Sequence, residues 1–266
     1  MPKVTDDLQG LGVLVTRPAH QADNLCGLIE AAGGQPYRLP TIQIEASSET
    51  EHTLAQTLLK NLQPDDLLIF ISANAVQYSQ TLLGPANNWP ANIQTAVIGQ
   101  ATARAFEAAF SQSADLAPSG GNNSEALLAL PELQQVSGRR IIIIRGEGGR
   151  PLLGDSLQHR GADVHYASIY RRCLPEKNLA EHIDAIRNSV DVITATSVES
   201  LQNLVTMLAE PMGEWLWSRP VFVLHQRQVK AAQAMGFKII PTVADETNDV
   251  ALLSAIIKWQ QENTKQ

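Results

Sequence analysis

LVTRP at residues 14–18 is answered by IIRGE at 143–147. Each is a short apolar run ending in an arginine, followed by a helical stretch that stops at Gly33 or Gly161. Such a run, apolar on both faces and followed by an amphipathic segment, is what a buried parallel strand and its crossover helix look like in sequence. The echo extends outward from this pair. FISANAVQYSQTLL (70–83) matches ATSVESLQNLVTML (195–208), and AVIGQATARAFEAA (96–109) matches FVLHQRQVKAAQAM (222–235). APSGGNNSEALLAL (117–130) matches IPTVADETNDVALL (240–253). Arg17 thus falls on Arg145, Ser72 on Ser197, Gly99 on His225 and Pro118 on Pro241, at offsets of 123 to 128 residues. A chain that reads twice predicts two similar domains, with a ligand cleft between them.

The alternation of short apolar runs with amphipathic stretches continues throughout, the pattern of βαβ units. Strands are predicted at Gly12–Thr16, Leu67–Ser72, Thr95–Ile98, Asp115–Ala117, Arg140–Arg145, Val190–Ala195, Pro220–Leu224 and Lys238–Pro241. Helices are predicted at Ala22–Ala32, Ala73–Leu83, Gln100–Phe110, Ser124–Leu130, Pro151–Arg160, Lys177–Arg187, Val198–Ala209, Gln226–Met235 and Asn248–Glu262, with Ser124 and Thr247 as N-caps. Two extended, half-polar segments interrupt the rhythm: PYRLPTIQI (36–44) and VHYASIYRR (164–172). They occupy equivalent places in the two repeats, and Pro40 holds Leu39 extended. They suit a linker or an exposed two-stranded ribbon.

Composition bounds the function. A chain of 266 residues with 44% hydrophobic and 18% charged content fits two modest globular cores. A net charge of −7 argues against a broad nucleic-acid or anionic-membrane surface, though not against a local basic site. Cys26 and Cys173 are the only cysteines and neither belongs to a C-x-x-C, so two reduced thiols are expected. The polar N-terminus lacks a signal peptide's basic and apolar regions, and no apolar run approaches the roughly 20 residues of a membrane span. The expected location is cytoplasmic. The expected state is a monomer, because no long apolar helix face is left over.

Familiar catalytic signatures are missing: there is no G-x-S-x-G, Walker A or H-E-x-x-H. The candidates cluster instead at strand ends, where open α/β sheets bind ligands. Ser72-Ala73-Asn74 and Ser197 end strands and open helices; they either cap those helices or leave backbone amides open to a carboxylate, and the two roles are compatible. GEGGR (146–150) is a strand-to-helix turn in which Gly146 and its neighbours could cradle an anion. Arg17 and Arg145 close strands and Arg150 opens a helix, so all three could pair with carboxylates. Gly99 and His225 end matching strands, with Gln228 one turn after His225. Tyr170 is the one aromatic beside Arg171 and Arg172; its phenol could donate a hydrogen bond or a proton, or only pack.

Taken in order, VLVTRP (13–18), FISANAV (70–76), AVIGQATARAF (96–106), PSGGNNSEALL (118–128), IIIIRGEGGRPLL (141–153) and IYRR (169–172) resemble the uroporphyrinogen-III synthase family. No single piece is specific, but the ordered set is, and it runs from about Leu11 to Ile257. The resemblance implies two similar flavodoxin-like parallel-sheet α/β domains joined by a two-stranded linker. Domain 1 would be residues 1–36 plus 172–266 and domain 2 residues 39–170, with linker strands at about 36–44 and 164–172. The repeat boundary alone would cut the chain near Pro131–Gly138.

The family closes hydroxymethylbilane, a linear tetrapyrrole with eight carboxylates, into uroporphyrinogen III, inverting ring D and releasing water. The route implied runs through an azafulvene and a spirocyclic pyrrolenine, with no cofactor and no metal. An enzyme of this kind mainly holds a folded conformer and stabilises cationic intermediates, which fits the lack of a strong acid–base constellation. Tyr170 matches the family's ribbon tyrosine and is the expected catalytic residue. Ser72, Ala73, Asn74, Gly99, Arg17, Arg145, Gly146, Arg150 and Ser197 are expected to bind substrate. The family's I-G-x-T-T-A turn is replaced here by Leu224–Val229, so its threonine contact is lost and His225 or Gln228 would take its role. Direct transfer of the bilane from hydroxymethylbilane synthase is expected, with no nucleic-acid or membrane partner. The alternative is a non-enzymatic two-domain binding protein for a small polyanionic ligand.

Overall fold

The computed structural model describes residues 7–175 and 180–264. Its strands are β1 (Gly12–Val15), β2 (Gln35–Arg38), β3 (Gln43–Ala46), β4 (Leu67–Phe70), β5 (Gln94–Val97), β6 (Arg140–Gly146), β7 (Asp163–Cys173), β8 (Val192–Ala195), β9 (Val221–Val223) and β10 (Thr242–Val243). The α-helices are α1 (Asp23–Ala31), α2 (Glu49–Lys60), α3 (Ala73–Leu83), α4 (Gln100–Phe110), α5 (Ser124–Leu128), α6 (Leu152–His159), α7 (Ala180–Ser189), α8 (Val198–Met212), α9 (Glu214–Trp217), α10 (Gln226–Met235) and α11 (Asp249–Asn263). The chain divides into unit 1, residues 1–43 with 173–266, and unit 2, residues 44–172.

Unit 1 holds a five-stranded sheet in the order β10-β9-β8-β1-β2, with every neighbouring pair parallel. Its strands alternate between two cores. Leu14, Ile193, Val221 and Val223 pack on the face of α8 and α10, while Val13, Val15, Val192 and Phe222 pack on the face of α1 and α11. The period of two thus buries both faces, and a four-residue strand such as GVLV needs no polar side.

Unit 2 holds a sheet in the order β3-β7-β6-β4-β5. Strands β7, β6, β4 and β5 run parallel, and Leu116 adds one bridge to Ala96 outside β5. Leu68, Phe70, Ile142 and Ile144 face α2, α3 and α4; Leu67, Ile69, Ile141 and Ile143 face α5 and α6. Each sheet therefore combines a β-α-β element from one half of the sequence with strands from the other. In both sheets the strand order reverses beside the central strand, at β1/β8 in unit 1 and at β4/β6 in unit 2. In doubly wound sheets that reversal opens a crevice at the strands' carboxyl ends.

Several expectations need correction. Helix α2 is missing from the sequence reading because ETEHTLAQTLLK is mostly polar and only Ala55 and Leu59 are buried. The strand expected at Lys238–Pro241 forms later, at Thr242–Val243. Lys238 instead donates its N–H to the Trp217 carbonyl, Ile239 and Ile240 are exposed, and Pro241 has no N–H to offer a ladder. Asp115–Ala117 makes only the Leu116 bridge. The N-caps are Asn123 and Asn248, whose Oδ1 atoms accept from Ala126 and Ala251 at 2.8 Å, rather than Ser124 and Thr247. Of the two extended segments, Gln35–Arg38 is a sheet-edge strand paired with β1, and Asp163–Tyr170 is paired with β6. The half-polar pattern of β2 is that of an edge strand, whereas β7 lies between β3 and β6 and buries Ala167–Tyr170. Only β3 and the end of β7 lie where the chain crosses between units. The first residues of the helix predicted at Lys177–Arg187 lie outside the described residues; α7 covers the rest.

Cys26 is 1% exposed, and burial pushes its thiol above the ordinary range. Cys173 is more open. At pH 8 the folded protein should therefore take up a thiol reagent quickly at Cys173, and at Cys26 only after unfolding. Two equally fast equivalents would contradict the buried position of Cys26.

Candidate functional site

At the switch point of unit 2, the loop after β4 begins with Ser72, which caps α3. Its Oγ accepts from the Ala75 N–H at 3.0 Å. The same oxygen lies 3.1 Å from the phenol oxygen of Tyr170. Tyr170 is 3% exposed and its ring lies 5.9 Å from that of Tyr78. A β-bulge brings Tyr170 there. The parallel register of β6 and β7 runs from Arg140↔Asp163 to Arg145↔Ser168, then jumps to Gly146↔Tyr170. Bulges re-aim side chains beside functional sites, and this one sets the tyrosine against the only residue of β6 without a side chain. A Cβ on Gly146 would lie 2.6 and 2.7 Å from Cε2 and Cζ of the Tyr170 ring. The Glu147 N–H donates to the Tyr170 carbonyl at 2.7 Å and fixes the backbone on the far side of the bulge.

Ala73 is exposed and Asn74 is buried on the first turn of α3. Gly99 is the N-cap of α4, and a Cβ there would meet Asn122 Oδ1 at 2.1 Å. That oxygen accepts from the Gln100 N–H at 3.1 Å, so a loop side chain occupies the amino end of α4. Asn122 was not among the residues singled out from sequence; only its place in the PSGGNN loop pointed to it. Arg150 is exposed and pairs with Glu125 at 2.6 Å. Bonds from its own backbone N–H and from Arg150 hold the Glu125 carboxyl below the usual range. The ribbon arginine Arg171 pairs with Glu45 at 3.2 Å. Arg145 is 9% exposed and folds back beneath the glycine turn, its Nε donating to the Gly146 carbonyl at 3.1 Å.

At the switch point of unit 1, Arg17 follows β1 and Ser197 follows β8. Ser197 caps α8, accepting from the Ser200 N–H at 2.9 Å. Arg17 forms an ion pair with Asp249 in the first turn of α11. His225 is exposed at the end of β9. Gln228 does not join it as a receptor. It is fully buried: its Oε1 accepts from the N–H groups of Leu224 at 3.0 Å and His225 at 2.8 Å, and its Nε2 donates to the Ala195 carbonyl at 2.9 Å. Its amide ties the ends of β8 and β9 together, and its complete burial keeps it from a ligand. Among the described residues no group of three or more His, Cys, Asp or Glu is placed to hold a metal, and no helix is long and apolar enough to cross a membrane.

These features define a class: an α/β protein of two doubly wound units, each gathering hydroxyls, helix amino ends and arginines at its strand-reversal point. Comparison with known proteins narrows the class to one family. The family model described as uroporphyrinogen-III synthase HemD matches residues 23–253. The uroporphyrinogen-III synthases of Escherichia coli (strain K12) and Salmonella typhimurium are each 34% identical to this chain, over 92% of it and the whole of each relative. Among solved structures, a mutant uroporphyrinogen III synthase from the extremely thermophilic bacterium Thermus thermophilus covers 96% of this chain and 100% of its own, with a TM-score of 0.59 at 19% identity. The Helicobacter pylori 26695 enzyme covers 94% and 99%, with a TM-score of 0.59 at 15% identity. The chain belongs to the uroporphyrinogen-III synthase family.

Proposed function

We propose that this chain is a cyclising lyase of tetrapyrrole biosynthesis that closes hydroxymethylbilane into uroporphyrinogen III, inverting ring D and releasing water. One observation carries the mechanistic part: a nearly buried phenol, Tyr170, held by the Ser72 hydroxyl at the strand-reversal point of unit 2. When the hydroxymethyl C–O bond breaks, its electron pair leaves on oxygen. That oxygen needs a proton or a strong hydrogen bond to depart as water. Tyr170 is the donor proposed; with the Ser72 hydroxyl donating to the phenol oxygen, the phenol O–H is left for the substrate. The pyrrole nitrogen supplies the electrons that stabilise the cation left behind. Small residues at strand ends, with helix amino ends and arginines beside them, suit a substrate bearing eight carboxylates.

Freshly prepared hydroxymethylbilane given to the purified protein should yield the type III isomer. Only the type I isomer, which forms without an enzyme, would reject the reading. Tyr170→Phe should lower kcat on the order of 10²-fold with melting unchanged; full turnover would remove the phenol from the mechanism. A cytoplasmic monomer that receives the bilane from hydroxymethylbilane synthase belongs to the same reading, and two cysteines outside any disulfide support a reducing compartment.

A further inference from the structure

Three hydrogen bonds close a ring around the bulge that carries Tyr170. On the β6 flank, the Glu147 N–H donates to the Tyr170 carbonyl at 2.7 Å. On the β3 flank, the Ser47 N–H donates to the Ile169 carbonyl at 3.3 Å. The third bond joins the flanks: the Ser48 N–H donates to Oε1 of Glu147 at 2.5 Å. Two successive backbone carbonyls of β7 are thus gripped from opposite sides, because β7 lies between β3 and β6.

The ring stands where the ladder fails. The β6–β7 register jumps between Arg145 and Gly146, and a bulge leaves the bulged strand without its regular pairing. The Glu147 side chain spans the gap from one flank to the other. It is exposed, and among the described residues it makes no ion pair; Arg150, three positions on, pairs with Glu125 instead. Helix α2 depends on the same carboxylate. Ser48 is its N-cap but makes no side-chain cap bond to it, and Ser47 is 8% exposed with no partner for its hydroxyl. A carboxylate at a helix amino end is favoured by the dipole and by the charge-assisted bond. The approach to α2 is tied to the surroundings of Tyr170 once more, through Tyr78. The Tyr78 phenol donates to the Ile44 carbonyl at 2.9 Å, and its ring lies 5.9 Å from that of Tyr170.

We infer that Glu147 is a positioning residue for Tyr170: its carboxylate pins the start of α2 to the turn after β6 and thereby holds the backbone from which the phenol reaches Ser72. The inference rests on the synthase reading for the phenol's role and deepens it. Charge argues the same way. An acid facing a substrate with eight carboxylates would repel it, so Glu147 is suited to hold the protein rather than the ligand.

The test compares wild type with Glu147→Ala, Glu147→Gln and Ser48→Pro. Ser48 has φ −51°, within the range of proline, so the last change deletes the donor to Glu147 without altering φ. One readout is kcat and KM with hydroxymethylbilane. The other is fluorine NMR of protein labelled with fluorotyrosine, in which Tyr170 is one of four tyrosines and is identified by its loss in Tyr170→Phe. Glu147→Ala and Ser48→Pro should each lower kcat about five- to tenfold, with KM within about twofold, and should shift or broaden the Tyr170 resonance. Glu147→Gln keeps the acceptor oxygen and should retain at least about half of wild-type kcat. Ser48→Pro serves if Glu147→Ala does not fold. A folded Glu147→Ala protein whose Tyr170 resonance stays in place would overturn the inference, whatever its kcat. So would an unchanged kcat with a lowered KM, the sign of a carboxylate that only repels substrate. The resonance needs no substrate. Wild-type protein that forms no type III product would reject the synthase reading, while the shift in Glu147→Ala would still show whether Glu147 holds Tyr170.

Discussion

Gly146→Ala should cost roughly 10²-fold in kcat with little change in folding, the scale expected when a catalytic group is displaced by about 1 Å. The argument is one of space. Gly146 lies opposite Tyr170 across the bulge, and its missing Cβ leaves room for the ring. An added methyl would come within 2.6 Å of Cε2, closer than two such atoms can stay. The ring cannot simply swing into solvent, because it is 3% exposed and packed near Tyr78. It must tilt, and the 3.1 Å contact with Ser72 is the contact most sensitive to tilt. A double-mutant cycle separates this cause from general damage. If Gly146 acts through Tyr170, Gly146→Ala should add little in a Tyr170→Phe background, whereas independent effects would multiply. Wild-type turnover by a folded Gly146→Ala protein would show that the phenol's position is not critical.

Gln228→Ala should destabilise unit 1 by about 3–5 kcal/mol, a sum over three backbone groups that lose a partner at about 1–3 kcal/mol each when buried. Leu224 and Ala195 are both buried, so water cannot easily replace the amide at either. His225 is at the surface, so its N–H costs least. Urea unfolding monitored by tryptophan fluorescence reads the effect directly, since all of the tryptophans except Trp89 lie in unit 1. Gln228→Glu keeps the acceptor but sets a carboxylate oxygen against the Ala195 carbonyl at a fully buried position, and should cost at least as much as alanine. The folded fraction of Gln228→Ala should turn over substrate normally. A variant that melts normally but binds substrate poorly would reverse the assignment and make Gln228 a ligand contact.

The duplication and the βαβ rhythm were legible because strands buried on both faces leave short apolar runs that periodicity picks out, as LLIF and GVLV show. Helix α2 escaped because it covers the core with only Ala55 and Leu59, too few to register against its polar face. The strand-end residues Arg17, Ser72, Gly99, Arg145 and Ser197 were found because chain position alone puts them at carboxyl ends. Their environments were not in the sequence. Nothing in VLHQRQV says that Gln228 is a buried strap and His225 an exposed tip, because that depends on the Ala195 carbonyl of another strand. Nor does RGEGGR say that Arg145 folds under its own turn while Arg150 reaches Glu125.

By itself the sequence determined the α/β class, the internal repeat and the ordered motifs that mark the family, because hydrophobic period and strand-end residue type are local properties of the chain. Tertiary structure decided which β-α-β element joins which sheet, where the β6–β7 register jumps, and that Arg145 folds back onto its own turn. Those outcomes depend on contacts between residues far apart in the chain: Tyr170 meets Ser72 across 98 positions, and Gly12 meets Asp191 across 179. Pairings of that range are set by packing and by the satisfaction of buried polar groups, not by any pattern within a single stretch of sequence.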